Sequence, residues 1–457
     1  MEKQKGHVLV LTYPAQSHIN PLLQFAKRLA SKGLKATLAT THCTVKSICA
    51  TTVGVEPISD GFDEGGSKQA PSVEAYLESF RAVGSKTLAE VILKYQNSDS
   101  PVNCIVYDSM LPWVLEVARQ FGIYGAAVFT VSASVCSMFW QINQGLLTLP
   151  MKQENFPLLL PGLPSLEFCD MPSFLAQPSR NPASLVAILE GISKLNENDW
   201  VFCNSFEELE SELVKTMLGH WPFVLIGPMV PSAYLDKQIE GDTAYGANLW
   251  KPTSVESMRW LDTKPENSVI YVSFGSMVNI VTAQVEEIAR GLKASNRPFV
   301  WVAKENENKL PVDFVKSLGE TGCILTWCNQ LEVLAHPAVG CFITHCGWNS
   351  TLEGLSLGVP MVAMPQCCDQ PTNSKFLVDV WKVGVRGKKD EEGIVKGEEL
   401  KRCIEIVMDG ERSVEIKSNA SKWREFAKKA VSVGGSSDRN IDEFVMKIMK
   451  GQRKINV

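Results

Sequence analysis

Two groups of residues in this sequence have the types and spacing to do chemistry. The first is sparse. His18 stands in Gln16-Ser17-His18-Ile19-Asn20-Pro21, and Asp108 in Tyr107-Asp108-Ser109-Met110-Leu111-Pro112-Trp113. An imidazole held by a carboxylate is a general-base arrangement, the acid orienting the ring and stabilising its charged form. The second group is dense. Trp327, Gln330, His345, Trp348, Asn349, Ser350, Glu353, Asp369 and Gln370 crowd one stretch. An aromatic plane, donors beside a helix start and carboxylates could together stack a base, hold a diphosphate and grip polyol hydroxyls.

The elements that must position these residues are legible. Val8-Leu9-Val10-Leu11 is a short apolar run, the pattern of a buried parallel strand. Leu22, Leu23, Ala26, Leu29 and Ala30 then recur at helical spacing until Gly33. His18 is therefore expected in the loop between them. That loop lies beyond a strand's C-terminal end, where ligands bind in open α/β sheets. Cys104-Ile105-Val106-Tyr107 is a second such strand, with Asp108 at its end and a helix predicted from Ser109 to Ala118. Taken singly, a loop His is ordinary and an Asp there is a helix cap. Only a shared sheet edge would bring the two together.

Gly340 to Thr344 reads as a third buried strand, followed by a turn from His345 to Thr351. Asn349, Ser350 or Thr351 is expected to cap the next helix, with Glu353 early in it and Gly358 and Pro360 ending it. Unpaired N–H groups and roughly half a positive charge at a helix start suit a phosphate. Alone, this turn reads as an ordinary βα turn with polar caps.

The whole stretch from Trp327 to Gln370 resembles the signature box of plant UDP-dependent glycosyltransferases, the family-one enzymes of the GT-B fold. It matches in length and order, from Trp327 through His345-Cys346-Gly347-Trp348-Asn349-Ser350 to Asp369-Gln370, and the likeness extends over essentially the whole chain. The resemblance implies a role for each residue. Trp327 stacks on uracil, and Gln330 and Glu353 take the ribose hydroxyls. His345, Asn349 and Ser350 hold the diphosphate, Ser276 assists, and Cys328 lies in the same UDP-sugar site. Trp348, Asp369 and Gln370 face the sugar, and a closing Gln rather than His resembles glucose users. His18 becomes the catalytic base and Asp108 its partner. Ser17 replaces the family's common Gly, and its hydroxyl is expected at the donor, as is that of Thr130. Cys367 stands where the family usually has an aromatic residue, which implies more room at the sugar and acceptor boundary. Phe139, Trp140, Phe174 and Cys367 are expected to line the acceptor pocket.

The activity implied by the resemblance is that of an inverting UDP-glucose-dependent enzyme. It would form β-O-glucosides or glucose esters of small lipophilic plant metabolites, the subgroup's carboxylic acids, phenolics, terpenoids and steroids. UDP-glucose is a co-substrate, and no cofactor or metal is expected. No D-x-D pair is present to hold a metal-bound diphosphate, and the six histidines show no ligand spacing.

Bulk properties agree. A chain of 457 residues exceeds what one core supports and predicts two domains or more. A hydrophobic content of 45% with 21% charged residues is that of a soluble globular protein. A net charge of −5 argues against a nucleic-acid binder. No apolar run approaches ~18 residues, so no membrane insertion is expected. The first residues lead into too short an apolar run for a signal peptide. Thirteen cysteines without a C-x-x-C pair read as reduced thiols. A cytoplasmic monomer is expected.

The predicted architecture is α/β, with two doubly wound Rossmann-like domains facing across a cleft. The expected boundaries are an acceptor-binding domain over 1–235, a linker over 236–255, a UDP-sugar-binding domain over 256–435, and a C-terminal helix over 436–457 packing back on the first domain. In the second half, strands are predicted over Ser268 to Ser273, Phe299 to Val302 and Ile324 to Thr326, with Thr282 capping a helix. Helices are predicted from Pro371 to Val380, Lys396 to Met408, Arg412 to Val431 and Arg439 to Met449. Two rival readings stand beside this one. Gly354-Leu355-Ser356-Leu357-Gly358 matches G-x-S-x-G, the nucleophile elbow of an α/β-hydrolase-type serine esterase. That motif needs a strand entering the Ser turn, whereas this Ser falls inside a predicted helix. A non-catalytic nucleotide-sugar binder would keep the box and need neither His18 nor Asp108.

Overall fold

Val8, Leu9, Val10 and Leu11 have no exposed surface, so the strand they form is covered on both faces. It is an inner strand of a parallel sheet in the computed structural model, which describes residues 6–49, 52–217, 222–250, 254–303 and 310–450. Two units are present. The first comprises Met1–Ser165, Phe174–Leu249 and Lys429–Val457, and the second Leu166–Ser173 and Trp250–Lys428.

The strands of the first unit are β1 (His7–Leu11), β2 (Lys35–Thr41), β3 (Gly54–Ile58), β4 (Val102–Asp108), β5 (Tyr124–Phe129), β6 (Trp200–Cys203) and β7 (Phe223–Leu225). They lie in the order β3-β2-β1-β4-β5-β6-β7 with every pairing parallel. The order reverses between β1 and β4, and the C-terminal edge beside such a reversal is where α/β sheets bind ligands. Leu11 pairs with Tyr107, so the chain leaving β1 and the end of β4 come to one place.

The second unit repeats the plan with β8 (Val269–Ser273), β9 (Phe299–Val302), β10 (Gly322–Leu325), β11 (Val339–Thr344), β12 (Met361–Ala363) and β13 (Gly384–Arg386). Their order is β10-β9-β8-β11-β12-β13, again parallel. The reversal falls between β8 and β11, where Ser273 pairs with Thr344. Each sheet carries its own apolar core, one around Val8, Phe25 and Phe202, the other around Ile270, Ile343 and Val362.

Four element starts at residues singled out in the sequence differ from expectation. The first helix runs Gln16–Ser31 and holds Pro21 inside it, so His18 lies in its first turn and not in a loop. A single proline removes only its own donor, and the N–H groups of His18 and Ile19 both reach the Ala15 carbonyl. After Asp108 the chain turns before its helix begins at Val114. Asp108 Oδ1 accepts from the Met110 N–H at 2.9 Å, so this carboxylate caps a turn rather than a helix. Thr282 is the first helical residue and not a cap, Val281 holding the cap position without a side-chain bond. The helix after β11 runs Trp348–Leu357 with Gly347 at its cap, so Asn349 and Ser350 lie within its first turn.

Residues 236–249 of the expected linker are bound to the first unit. Asp242 pairs with Lys27 at 2.8 Å and accepts from Gln24 at 2.6 Å, and Asp236 pairs with Arg28 at 2.9 Å. Residues 251–253 of that stretch lie outside the described residues. The helix Ser436–Met449 belongs to the first unit. Phe444 has no exposed surface and meets Trp200 and Phe202 at ring-centroid distances of 4.9 and 5.2 Å.

Candidate active site

In the first unit the register of β1 against β4 produces a single contact of chemical interest. His18 Nδ1 lies 2.7 Å from Asp108 Oδ2. The Asp108 side chain has no exposed surface, whereas that of His18 is 21% exposed. A carboxylate only accepts, so Nδ1 carries the proton and donates it. Thr130, which follows β5, brings Oγ1 to 3.3 Å from the same Nδ1. The Tyr13 ring lies 5.3 Å from the imidazole, and burial, then Asp108 and Asp60, push its hydroxyl up to about 12. Tyr13 therefore stays neutral beside the pair. Ser17 neighbours His18 in the first helical turn and is half-buried.

In the second unit the pairing of β8 with β11 sets the loop after Ser273 beside the turn after Thr344. His345, 8% exposed, sits between two glycines. A Cβ on Gly275 would come within 2.7 Å of the His345 ring, and one on Gly347 within 2.5 Å of Nε2. Gly275 also has φ +68°, so side chains are excluded there twice over. Ser276 follows, half-buried.

The next cluster crosses from β8 to the helix after β11. Tyr271 donates its hydroxyl to Gln330 Oε1 at 3.2 Å and touches Cys328 Sγ at 3.4 Å. Gln330 Nε2 then donates to Glu353 Oε2 at 2.6 Å and to Ser350 Oγ at 3.0 Å. The amide is thus oriented from both ends. Cys328 is pushed up to about 12 by burial, so its thiol is packing and not a nucleophile. Trp327 is half-buried with its ring 5.9 Å from that of Trp250.

Asp369 joins the His345 turn through Asn373, whose amide donates to Asp369 Oδ2 at 2.8 Å and to the Cys346 carbonyl at 2.9 Å. Gln370 turns its Oε1 inward, accepting from the backbone of Gln366 and Cys367 at 2.9 and 3.0 Å. Trp348 is only 4% exposed and packs its ring against Trp381, leaving little surface to offer a ligand. Asn349 lies half-buried one residue on.

The chain matches the family model described as UDP-glucoronosyl and UDP-glucosyl transferase over residues 193–422. It is 48% identical to UDP-glycosyltransferase 74B1 of Arabidopsis thaliana, over 98% of this chain and 99% of that one. The chain is a plant family-one UDP-glycosyltransferase. It is similar also to a flavonol 7-O-beta-glucosyltransferase of Arabidopsis thaliana, at 46% identity over 98% of this transferase and 99% of the relative. Among solved structures it resembles Os79 of O. sativa in complex with UDP. The TM-score is 0.92 and the identity 41%, over 96% of this chain and 100% of that one. Both expectations, the GT-B fold and glycosyl transfer, stand.

One rival feature is resolved within the transferase. Ser356 has no exposed surface and lies inside the Trp348–Leu357 helix, well past the end of β11, so it is not on a strand-to-helix elbow. Among the described residues no group of three His, Cys, Asp or Glu side chains is placed to hold a metal, and no helix is long and apolar enough to cross a membrane.

The expected acceptor residues differ in burial and in the unit they belong to. Phe139 is 4% exposed and part of the core, whereas Trp140 and Phe174 are half-buried. Cys367 belongs to the second unit. Sequence reasoning missed Tyr271 and Asn373. Tyr271 was visible as a polar-tipped aromatic in an otherwise apolar strand, a type that usually finds a partner when buried. Asn373 stands four residues after Asp369, the spacing of a helical pair.

Proposed function

We propose that this transferase moves glucose from UDP-glucose to an oxygen of a small lipophilic acceptor, with inversion at the anomeric carbon and His18 as general base. The His18–Asp108 contact of 2.7 Å carries this reading. Nδ1 is committed to the carboxylate, so Nε2 takes the acceptor hydroxyl proton. As that proton leaves, the acceptor oxygen bonds to the anomeric carbon from the face opposite the diphosphate. The anomeric carbon–phosphate oxygen bond breaks and UDP departs with the electron pair. Asp108 stabilises the imidazolium that results.

The donor residues follow the clusters of the second unit. Trp327 stacks on uracil, and Gln330 and Glu353 hold the ribose. His345, Asn349, Ser350 and Ser276 receive the diphosphate at the start of the Trp348–Leu357 helix. Donors and dipole there stabilise the departing charge without a metal. Asp369 and Gln370 bind the sugar, Gln370 exchanging its internal bonds for sugar hydroxyls. The relatives named for flavonol glucosylation and UDP binding support the donor and the kind of acceptor. Thirteen free thiols suit a reducing compartment and support the cytosol as the site of action.

Purified protein with UDP-glucose and a panel of phenols, terpenoid alcohols and carboxylic acids tests the proposal by product mass spectrometry. Glucosylated products that vanish in His18→Ala for the hydroxyl acceptors are expected. Tight UDP binding with no product from any acceptor would leave the non-catalytic binder.

A further inference from the structure

Cys367 and Cys368 sit in the loop after β12, immediately before Asp369 and Gln370. The Cys368 thiol donates to Cys367 Sγ at 3.5 Å, and both residues are half-buried, within reach of a small reagent. Cys368 has φ +58°, a left-handed conformation costly for a side-chain-bearing residue. Ser173 holds it there. The Cys368 N–H donates to Ser173 Oγ at 2.7 Å, and its carbonyl accepts from the Ser173 N–H at 2.8 Å. The same loop holds Gln370, which donates its amide to Cys367 Sγ at 3.7 Å besides accepting from the backbone of Gln366 and Cys367. The bond from Cys368, outweighing burial, lowers the Cys367 thiol from its ordinary value. That favours the thiolate, the form that attacks disulfides.

We propose that Cys367 and Cys368 form a thiol–disulfide modification site, closed by small disulfides into a bond between neighbours that shuts off sugar transfer. The effect on activity rests on the proposed donor site, but the sulfur chemistry does not. The Cys367 thiolate attacks one sulfur of a low-molecular-weight disulfide. The reagent's S–S bond breaks, and one reagent thiolate leaves and takes a proton from water. Cys368 gives its proton to water and attacks Cys367 Sγ, expelling the second reagent thiolate. Two protein thiols lose two electrons, and one reagent disulfide becomes two thiols.

Neighbouring Cα atoms are ~3.8 Å apart across a trans peptide, below the ~4.4–6.8 Å that disulfides usually span. The closed bond is therefore strained and easily reduced, as in labile regulatory disulfides and not in structural ones. Closing it takes both sulfurs out of their present contacts and pulls on the backbone that holds Gln370.

The test incubates the whole protein with oxidised glutathione, then maps peptides by mass spectrometry and assays transfer and UDP binding. The expected result is a peptide holding Cys367 and Cys368 that has lost two hydrogens and gained no adduct. Transfer falls ~10-fold or more, since a displacement of about 1 Å in a positioning group has effects of that size. UDP affinity measured by calorimetry stays, and a reductant restores both transfer and mass. Cys368→Ser should stop at a glutathione adduct on Cys367, and Cys367→Ser should take up nothing at Cys368. Reaction at Cys49 or Cys169 with this pair untouched would overturn the proposal. So would a lasting adduct on wild-type Cys367, or closure with unchanged transfer. Absence of transfer before oxidation would count against the proposed function alone, since the mass change still decides the thiol chemistry.

Discussion

His18 Nδ1 and Asp108 Oδ2 are 2.7 Å apart, with the carboxylate buried and the imidazole partly open. The geometry fixes which nitrogen faces the carboxylate, and the proposed general base is the other one. An alcohol or phenol must lose its proton as its oxygen attacks. His18→Ala is therefore expected to lose at least ~10²-fold in kcat/KM with such acceptors. A carboxylic acid is already ionised at pH 7, so its loss should be markedly smaller. Asp108→Asn should follow the same pattern more weakly. Rates for one phenol and one carboxylic acid decide the matter. Full activity of His18→Ala on the phenol ends the general-base assignment, and equal losses on both acceptors would make His18 a pocket-shaping residue.

Trp327 lies half-buried against Trp250. Trp327→Ala should weaken UDP binding by about 1–3 kcal/mol, the usual worth of one stacked base, with little change in far-UV circular dichroism. Calorimetry with UDP reads it, and unchanged affinity removes Trp327 from the site.

Chelation should leave turnover nearly intact. No D-x-D pair is present in the sequence, and a helix start stands ready for the diphosphate. Loss of rate in EDTA that returns with Mg²⁺ or Mn²⁺ would refute this.

Ser356 is fully buried, and its hydroxyl has no hydrogen-bond partner among the described atoms. Removing such a group is close to neutral, so Ser356→Ala should keep its transfer rate and change stability by less than about 1 kcal/mol. A fluorophosphonate should fail to label the wild type at Ser356. Labelling there, or loss of all activity in the variant, would revive the hydrolase reading.

Acid stability should depend on His7. Its ring is buried between the Ser100 carbonyl and Thr37 Oγ1, and burial lowers it from 6.5 to about 4. Between those values the unfolded chain binds a proton that the folded chain refuses. Stability is therefore lost as pH falls from 6.5 towards 4, by on the order of 2 kcal/mol at pH 5. His7→Gln should start less stable at pH 7 and lose less on acidification. Urea midpoints at pH 7 and pH 5 compare the two, and parallel losses would rule His7 out as a source.

Much of this was legible because parallel strands buried on both faces are written as apolar runs. Val8 to Leu11, Cys104 to Tyr107 and Gly340 to Thr344 all formed the strands expected. The shorter or more polar strands were not seen. β12 and β13 have three residues each, and β3 carries Glu56 and Pro57 at a sheet edge. Polar residues were placed correctly in the chain but not always in conformation. Thr282, Asn349 and Ser350 looked like caps, yet Val281 and Gly347 hold those positions because backbone geometry, not side-chain type, decided them. Contacts between distant residues, such as Tyr271 with Gln330, leave no local pattern to read.

The helix Ser436–Met449 fills the core of the first unit with Phe444, and Ser437 and Asn440 donate to the carbonyls of Gly227 and Leu225 beside β7. During synthesis this piece emerges only after every residue of the second unit has been made. The first unit therefore waits on the ribosome with Phe25, Phe202 and Trp200 short of a partner, an apolar surface that holding chaperones recognise. A stop codon placed before the helix would leave that surface uncovered for good. Such a truncated chain should accumulate in inclusion bodies even though both sheets and all the donor residues are encoded.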